Sequence, residues 1–152
     1  MEIRPAQPAD GPRIVELMRL LAAFEDLPAP GDEDARRLLT HAFEEQRLEL
    51  WVADDGGEVV AYAACFTAYS TFRARPSLFL EDLFVHPAAR RRGVATAMLA
   101  RLRDEAEARG CGRFEWMVLD WNSEAQALYR GIGAALLPDW RLVRIDLQPD
   151  EG

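Results

Sequence analysis

The run Leu78-Phe79-Leu80-Glu81-Asp82-Leu83-Phe84-Val85-His86-Pro87, continued after two alanines by Arg90-Arg91-Arg92-Gly93-Val94-Ala95-Thr96, decides the fold. An apolar stretch with acidic residues at its middle, a short turn containing proline and a glycine-marked amphipathic run to Gly110 predict a strand, a loop and a helix. The first turn of such a helix leaves backbone N–H groups unpaired at the positive end of the macrodipole, so an anion placed there is doubly favoured. Gly93 lets a ligand approach the backbone closely, and three consecutive arginines add charge.

The kind of anion narrows by elimination. The chain has no lysine, so a phosphate loop ending in Gly-Lys-Ser/Thr is excluded, as is Schiff-base chemistry. A dinucleotide fingerprint needs three spaced glycines after a strand, and only Gly93 is present. The pattern Arg90-x-x-Gly93-x-Ala95 does resemble the pyrophosphate-binding loop of the GNAT superfamily of N-acetyltransferases, which use acetyl-CoA. Taken alone, it also allows the plainer reading of an ordinary basic helix start. A second motif follows in Asp120-Trp121-Asn122-Ser123, Ala125, Tyr129, Gly131 and Gly133-Ala134. In the superfamily a strand ends at an Asn, a helix begins, a Tyr lies two turns along it, and a Gly-Ala or Gly-Phe pair closes it. Asn122 and Tyr129 are seven residues apart and share one helix face. Leu80 to Val85, Glu115-Trp116, Asp120-Trp121-Asn122 and Asp139-Trp140-Arg141-Leu142 look most like the diamine (spermidine/spermine) acetyltransferases and their thialysine-acetylating relatives. The resemblance covers nearly the whole chain.

It implies an α/β fold: a mixed central sheet of about six to seven strands with splayed central parallel strands, flanked by about four helices. It also implies one N-acetyltransferase domain over residues 1–152 and a homodimer. The composition agrees, since 49% of the residues are apolar, enough for one sizeable core. No apolar run approaches ~20 residues, and Met1-Glu2-Ile3-Arg4 is neither a basic signal region nor an amphipathic presequence, so a cytoplasmic protein is expected. Cys65 and Cys111 read as free thiols without catalytic duty; no Cys/His cluster has metal-ligand spacing, and no metal is expected. A net charge of −8 argues against nucleic acid or an anionic membrane as partner. It suits a cationic substrate, although solubility alone also explains it.

In chain order, Glu2 to Ala6 reads as a first strand, with Asp10 as N-cap of a helix carrying Ile14, Leu17, Met18, Leu21 and Phe24 on its apolar face. A second helix runs from Asp32 to Phe43. Leu48 to Ala53 and Val59 to Ala68 are strands joined by the hairpin signal Asp54-Asp55-Gly56-Gly57. After a loop to Pro76 comes the strand Ser77 to Val85, and past the amphipathic helix a parallel strand Phe114 to Leu119. The helix from Asn122 to Tyr129, a turn at Leu137-Pro138-Asp139 and a last strand Arg141 to Leu147 follow, with a frayed tail at 148–152.

Acetyl transfer from a thioester to an amine poses three problems: the amine, pKa near ~10, must lose a proton; the oxyanion must be stabilised; and the thiolate, pKa about 8.5, benefits from protonation. The resemblance assigns Glu81 as base, directly or through water, with a salt-bridged strand residue as the plainer reading. Glu81 and Asp82 are consecutive, so a regular strand points them to opposite faces unless a bulge intervenes. Backbone N–H near Leu83 would hold the oxyanion, and Leu83, Phe84 and Val85 would pair with pantetheine as a neighbouring strand does. Arg90, Arg91, Arg92, Gly93, Val94, Ala95 and Thr96 would hold the pyrophosphate. Asn122, Ser123 and Ala125 would meet the pantetheine, and Tyr129 would protonate the sulfur; an interfacial packing role is its alternative. On the acceptor side stand Phe24, Glu25, Glu81, Asp82, Glu115, Trp116 and Asp139. Phe24 and Glu25 read equally as the last core residue and a solvated acid. His86 reads as a loop residue and His41 as a solvent-facing helical one.

The reading is therefore an acetyl-CoA-dependent N-acetyltransferase for a small cationic amine such as a polyamine or thialysine. A protein N-terminus, a lysine or another small amine is the alternative acceptor. A CoA-sensing module without turnover is the alternative of another class.

Overall fold

Five strands form one mixed sheet in the computed structural model, which describes residues 1–147. The strands are β1 (Glu2–Pro5), β2 (Glu49–Asp55), β3 (Glu58–Ser70), β4 (Arg75–Val85) and β5 (Arg113–Trp116), in that spatial order. Neighbours from β1 to β4 are antiparallel, and β4 pairs with β5 in parallel. The helices are α1 (Gly11–Phe24), α2 (Asp32–Phe43), α3 (Val94–Ala108) and α4 (Ser123–Gly131). The chain divides into two compact units, Met1–Met117 and a second that begins at Val118.

Alternation along the strands sorts the core of the first unit. Tyr62, Ala64 and Phe84 lie on one face with Leu50 and Val52, packed against Ile14 and Leu17 of α1 and Ala42 of α2. The opposite face carries Trp51, over which Arg101 of α3 stacks at 4.8 Å from the ring centroid, and Met98, Leu99 and Leu102 of α3 are fully buried. Each fully buried aliphatic side chain is worth roughly 1.5–3 kcal/mol, against about 0–1 kcal/mol for an exposed ion pair. Apolar burial, not the surface arginine pairs, therefore holds the layers together.

Local chemistry sets the connections. The β2–β3 hairpin turns through Gly56 (φ 63°) and Gly57 (φ 99°), the left-handed pair that a two-residue turn demands. Asp10 stands at the N-cap position of α1 but does not cap it. Its carboxylate instead accepts from Arg4 at 2.8 Å and from the Gln7 N–H at 2.7 Å, and the Arg4 hydrogen bond holds it below the usual carboxylate range.

The sheet has fewer strands than the six to seven expected, among the described residues. β5 ends at Trp116 rather than Leu119. Residues 141–147 alternate as a strand should but form no ladder, and Val143, Ile145 and Leu147 are 89%, 84% and 86% exposed. A strand is defined by its hydrogen-bonded neighbour, and among the described residues this stretch pairs with none. The expected frayed tail at 148–152 lies outside the described residues. Among those residues no helix is long and apolar enough to cross a membrane.

Candidate active site

A bulge in β4 aims the acidic pair. Ala64 stands opposite Asp82 and Cys65 opposite Leu80, so Glu81 is an extra residue without a partner in β3. Past it the alternation is reset, and Asp82 and Phe84 share the face of Tyr62 and α1. Without the bulge Asp82 would lie on the α3 face with Leu80. The Tyr62 hydroxyl donates to the Asp82 carboxylate at 3.1 Å.

β4 also has an open edge. Its ladder with β5 runs only from Ser77 opposite Arg113 to Leu80 opposite Trp116. The His86 N–H donates to the Val60 carbonyl at 2.8 Å, so by antiparallel alternation Asp82 and Phe84 direct their backbone groups to β3. Leu83 and Val85 direct theirs to the opposite edge, beyond the end of the β5 ladder. The Val85 carbonyl there accepts from Arg90 Nε at 3.2 Å.

The carboxylates around the bulge are electrostatically strained. Burial raises the Asp82 pKa, the charges of Glu81 and Glu25 raise it further, and the Tyr62 hydrogen bond works against them. Burial also raises that of Glu25. Glu81 is exposed. Among the described residues none of the three carboxylates forms an ion pair with an arginine or histidine.

The loop after β4 leads into a helix start whose first N–H groups are open. A short turn, Pro87–Ala89, leads to Arg91 (φ 62°) and Gly93 (φ 73°), and α3 starts at Val94. The first helical bond runs from Ala97 N–H to the Gly93 carbonyl, leaving the N–H groups of Val94, Ala95 and Thr96 without helical acceptors. Of the three arginines, Arg92 pairs with Asp55 at 2.7 Å. Arg90 folds back, its guanidinium 5.5 Å from the Phe24 ring centroid and 5.3 Å from that of Phe84. Arg91 is exposed and makes no side-chain hydrogen bond or ion pair among the described residues.

In the second unit Asn122 caps α4, its Oδ1 accepting from the Ala125 N–H at 3.2 Å. Ser123 and Ala125 lie in the first turn, and Tyr129, half-buried, follows on the Asn122 face. Gly133 (φ 90°) ends the helix, with the Ala134 N–H on the Tyr129 carbonyl at 3.0 Å. Asp139 and Trp140 are exposed in this unit.

The acid–aromatic pairs fare differently. Phe24 and Glu25, at the end of α1, are brought to Arg90 and to the field of Asp82. Glu115 stands opposite Phe79 and Trp116 opposite Leu80, so this pair is split between the two faces of the sheet. Tyr62 is the residue that sequence reasoning misses; its only mark is a hydroxyl within the apolar run Val59 to Cys65. Burial pushes the Cys65 thiol up to about 12, which leaves it protonated and inert.

The profile of the acetyltransferase (GNAT) family matches residues 14–134. The thialysine N-epsilon-acetyltransferase of Bos taurus is 30% identical over 95% of this chain and 91% of its own. The L-ornithine N5-acetyltransferase of Arabidopsis thaliana is 34% identical over 57% of this chain, and the match spans only 38% of that longer protein. Among solved structures, the aminoglycoside N-acetyltransferase AAC(6')-Iy in complex with CoA superposes with a TM-score of 0.79 over 96% of this chain and 95% of its own, at 20% identity.

Proposed function

This chain belongs to the acetyltransferase (GNAT) family, and from that premise we propose that it moves the acetyl group of acetyl-CoA to a primary amine of a small cationic acceptor, such as thialysine, ornithine or a polyamine, by direct attack in a ternary complex. The observation that carries the acceptor class is the group of Glu25, Glu81 and Asp82, three carboxylates around one bulge that form no ion pair among the described residues. Glu25 and Asp82, half-buried and raised in pKa, are stabilised in their charged form by a cation that enters, and an ammonium with a second positive group can meet more than one carboxylate. The relatives named for thialysine and ornithine support the same class.

The roles follow the geometry of each unit. The open edge of β4 at Leu83 to Val85 suits an extended pantetheine, with the Leu83 N–H directed to where an oxyanion would develop. The N–H groups of Val94, Ala95 and Thr96, with Arg91, suit the pyrophosphate, and the CoA-bound fold neighbour supports this use. The family resemblance assigns Asn122, Ser123 and Ala125 to the pantetheine and Tyr129 to protonating the departing thiolate. Glu81 is proposed as base, through water. A second reading gives that duty to Asp82, because burial raises its pKa toward the working pH and Tyr62 fixes its position. A homodimer belongs to the same proposal, supported by the exposed apolar side chains of Val143, Ile145 and Leu147.

The test is CoA-thiol release by the purified chain with acetyl-CoA and a panel of thialysine, ornithine, spermidine, a neutral monoamine and a lysine-containing peptide. Release with the small cationic amines is expected. Release with the peptide alone would move the acceptor to proteins, and CoA binding without release for any amine would favour a sensing module.

A further inference from the structure

Arg90 opens the pyrophosphate-like motif, yet its side chain is committed elsewhere. The guanidinium lies 5.5 Å from the ring centroid of Phe24 and 5.3 Å from that of Phe84, while Nε–H donates to the Val85 carbonyl at 3.2 Å. These partners are the end of α1 and the end of β4. Phe24 is followed directly by Glu25, whose charge reaches both Tyr62 and Asp82. Among the described residues Arg90 forms no ion pair with Glu25 or Asp82; its guanidinium lies over the ring of Phe24 instead.

We propose that Arg90 is a positioning residue for the acceptor amine: by holding Phe24 against Phe84 and the Val85 carbonyl, it fixes the end of α1 so that Glu25 faces Asp82 across the acceptor entrance. The diphosphate is then left to the helix N–H groups and Arg91. The physical basis is that a guanidinium set over the rings of Phe24 and Phe84 and tethered to the Val85 carbonyl is held in one orientation, and through Phe24 it links the end of α1 to the end of β4. The inference rests on the acetyltransferase reading for the identity of the amine, but its test does not depend on turnover.

The test is a double-mutant cycle, Arg90→Met, Phe24→Leu and both together, read by calorimetry as CoA affinity and as thialysine affinity of the CoA-loaded protein. Arg90→Met and Phe24→Leu should each raise the thialysine Kd roughly 2- to 5-fold, the range of an exposed cation–π contact, and the double variant should lose no more than either alone. CoA Kd should change less than about 2-fold, and Arg90→Lys, which keeps a cation over the rings, should recover part of the thialysine affinity. A CoA Kd raised by Arg90→Met with thialysine binding unchanged would make Arg90 a diphosphate ligand and overturn the proposal. Losses that add in the double variant would overturn it as well. Absence of acetyl transfer by the wild-type chain, with the binding cycle intact, would instead strike the enzymatic reading.

Discussion

The Tyr62 hydroxyl and the Asp82 carboxylate meet at 3.1 Å on the α1 face of the sheet, and they meet only because the Glu81 bulge turns Asp82 to that face. Tyr62 is fully buried and keeps its proton, since burial and the adjacent Asp82 charge push its pKa well upward. It is therefore a fixed donor that moderates the pKa of a carboxylate which burial would otherwise raise further.

Tyr62→Phe removes that donor while keeping the ring in the core. The Asp82 pKa should rise, and the acidic limb of the kcat/KM profile for the amine should move to higher pH. A limb that stays in place would mean that Asp82 does not have to be ionised for the reaction.

Asp82→Asn should separate stability from activity. A carboxylate whose folded pKa is raised above its ordinary 3.8 holds its proton more tightly when folded, so its contribution is favourable below that value and is lost as pH rises through the raised one. The variant should therefore melt at or above the wild-type temperature at pH 7, with the difference closing below about pH 4, while amine kcat/KM falls roughly 10-fold or more. A lower Tm at pH 7, with the gap widening upward, would contradict the sign.

Gly93→Glu tests the loop. Gly93 has φ 73° and an added Cβ would meet nothing within 4 Å, so the variant carries only a left-handed strain of about 1–2 kcal/mol and should fold. Its carboxylate would occupy the helix N-terminus, raising the acetyl-CoA Kd by roughly 100-fold, whereas Gly93→Ala has similar strain and should bind far better. Normal acetyl-CoA affinity in folded Gly93→Glu would remove the assignment of this loop.

Tyr129→Phe deletes one hydroxyl from α4. Loss of a general acid should lower kcat by about 10²-fold or more, with the acetyl-CoA Kd within about 2-fold of wild type. An unchanged kcat and pH profile would leave Tyr129 a packing residue.

The strand–loop–helix run from Leu78 to Gly110 was legible because each piece is signalled locally: apolar alternation, a proline turn, and a glycine that takes a positive φ. The aim of Glu81 and Asp82 was not, because a bulge is fixed by the register with β3, which one strand's own residues do not encode. For the same reason the adjacent Glu115 and Trp116 read as a pair and stand on opposite faces. Residues 141–147 have the pattern of a strand but pair with none among the described residues, so alternation alone overcounted the strands. The Arg90-x-x-Gly93 spacing says nothing of a guanidinium between Phe24 and Phe84, since the direction of a long side chain is decided by residues distant in sequence.

The central claim, that the unneutralised acids Glu25, Glu81 and Asp82 select a cationic amine, is tested most directly by kcat/KM for a diamine and a monoamine of equal length at two ionic strengths. The diamine should be preferred by roughly 10-fold or more at low salt, and the preference should shrink as screening grows. Equal kcat/KM for the two amines at both salt concentrations would contradict the account.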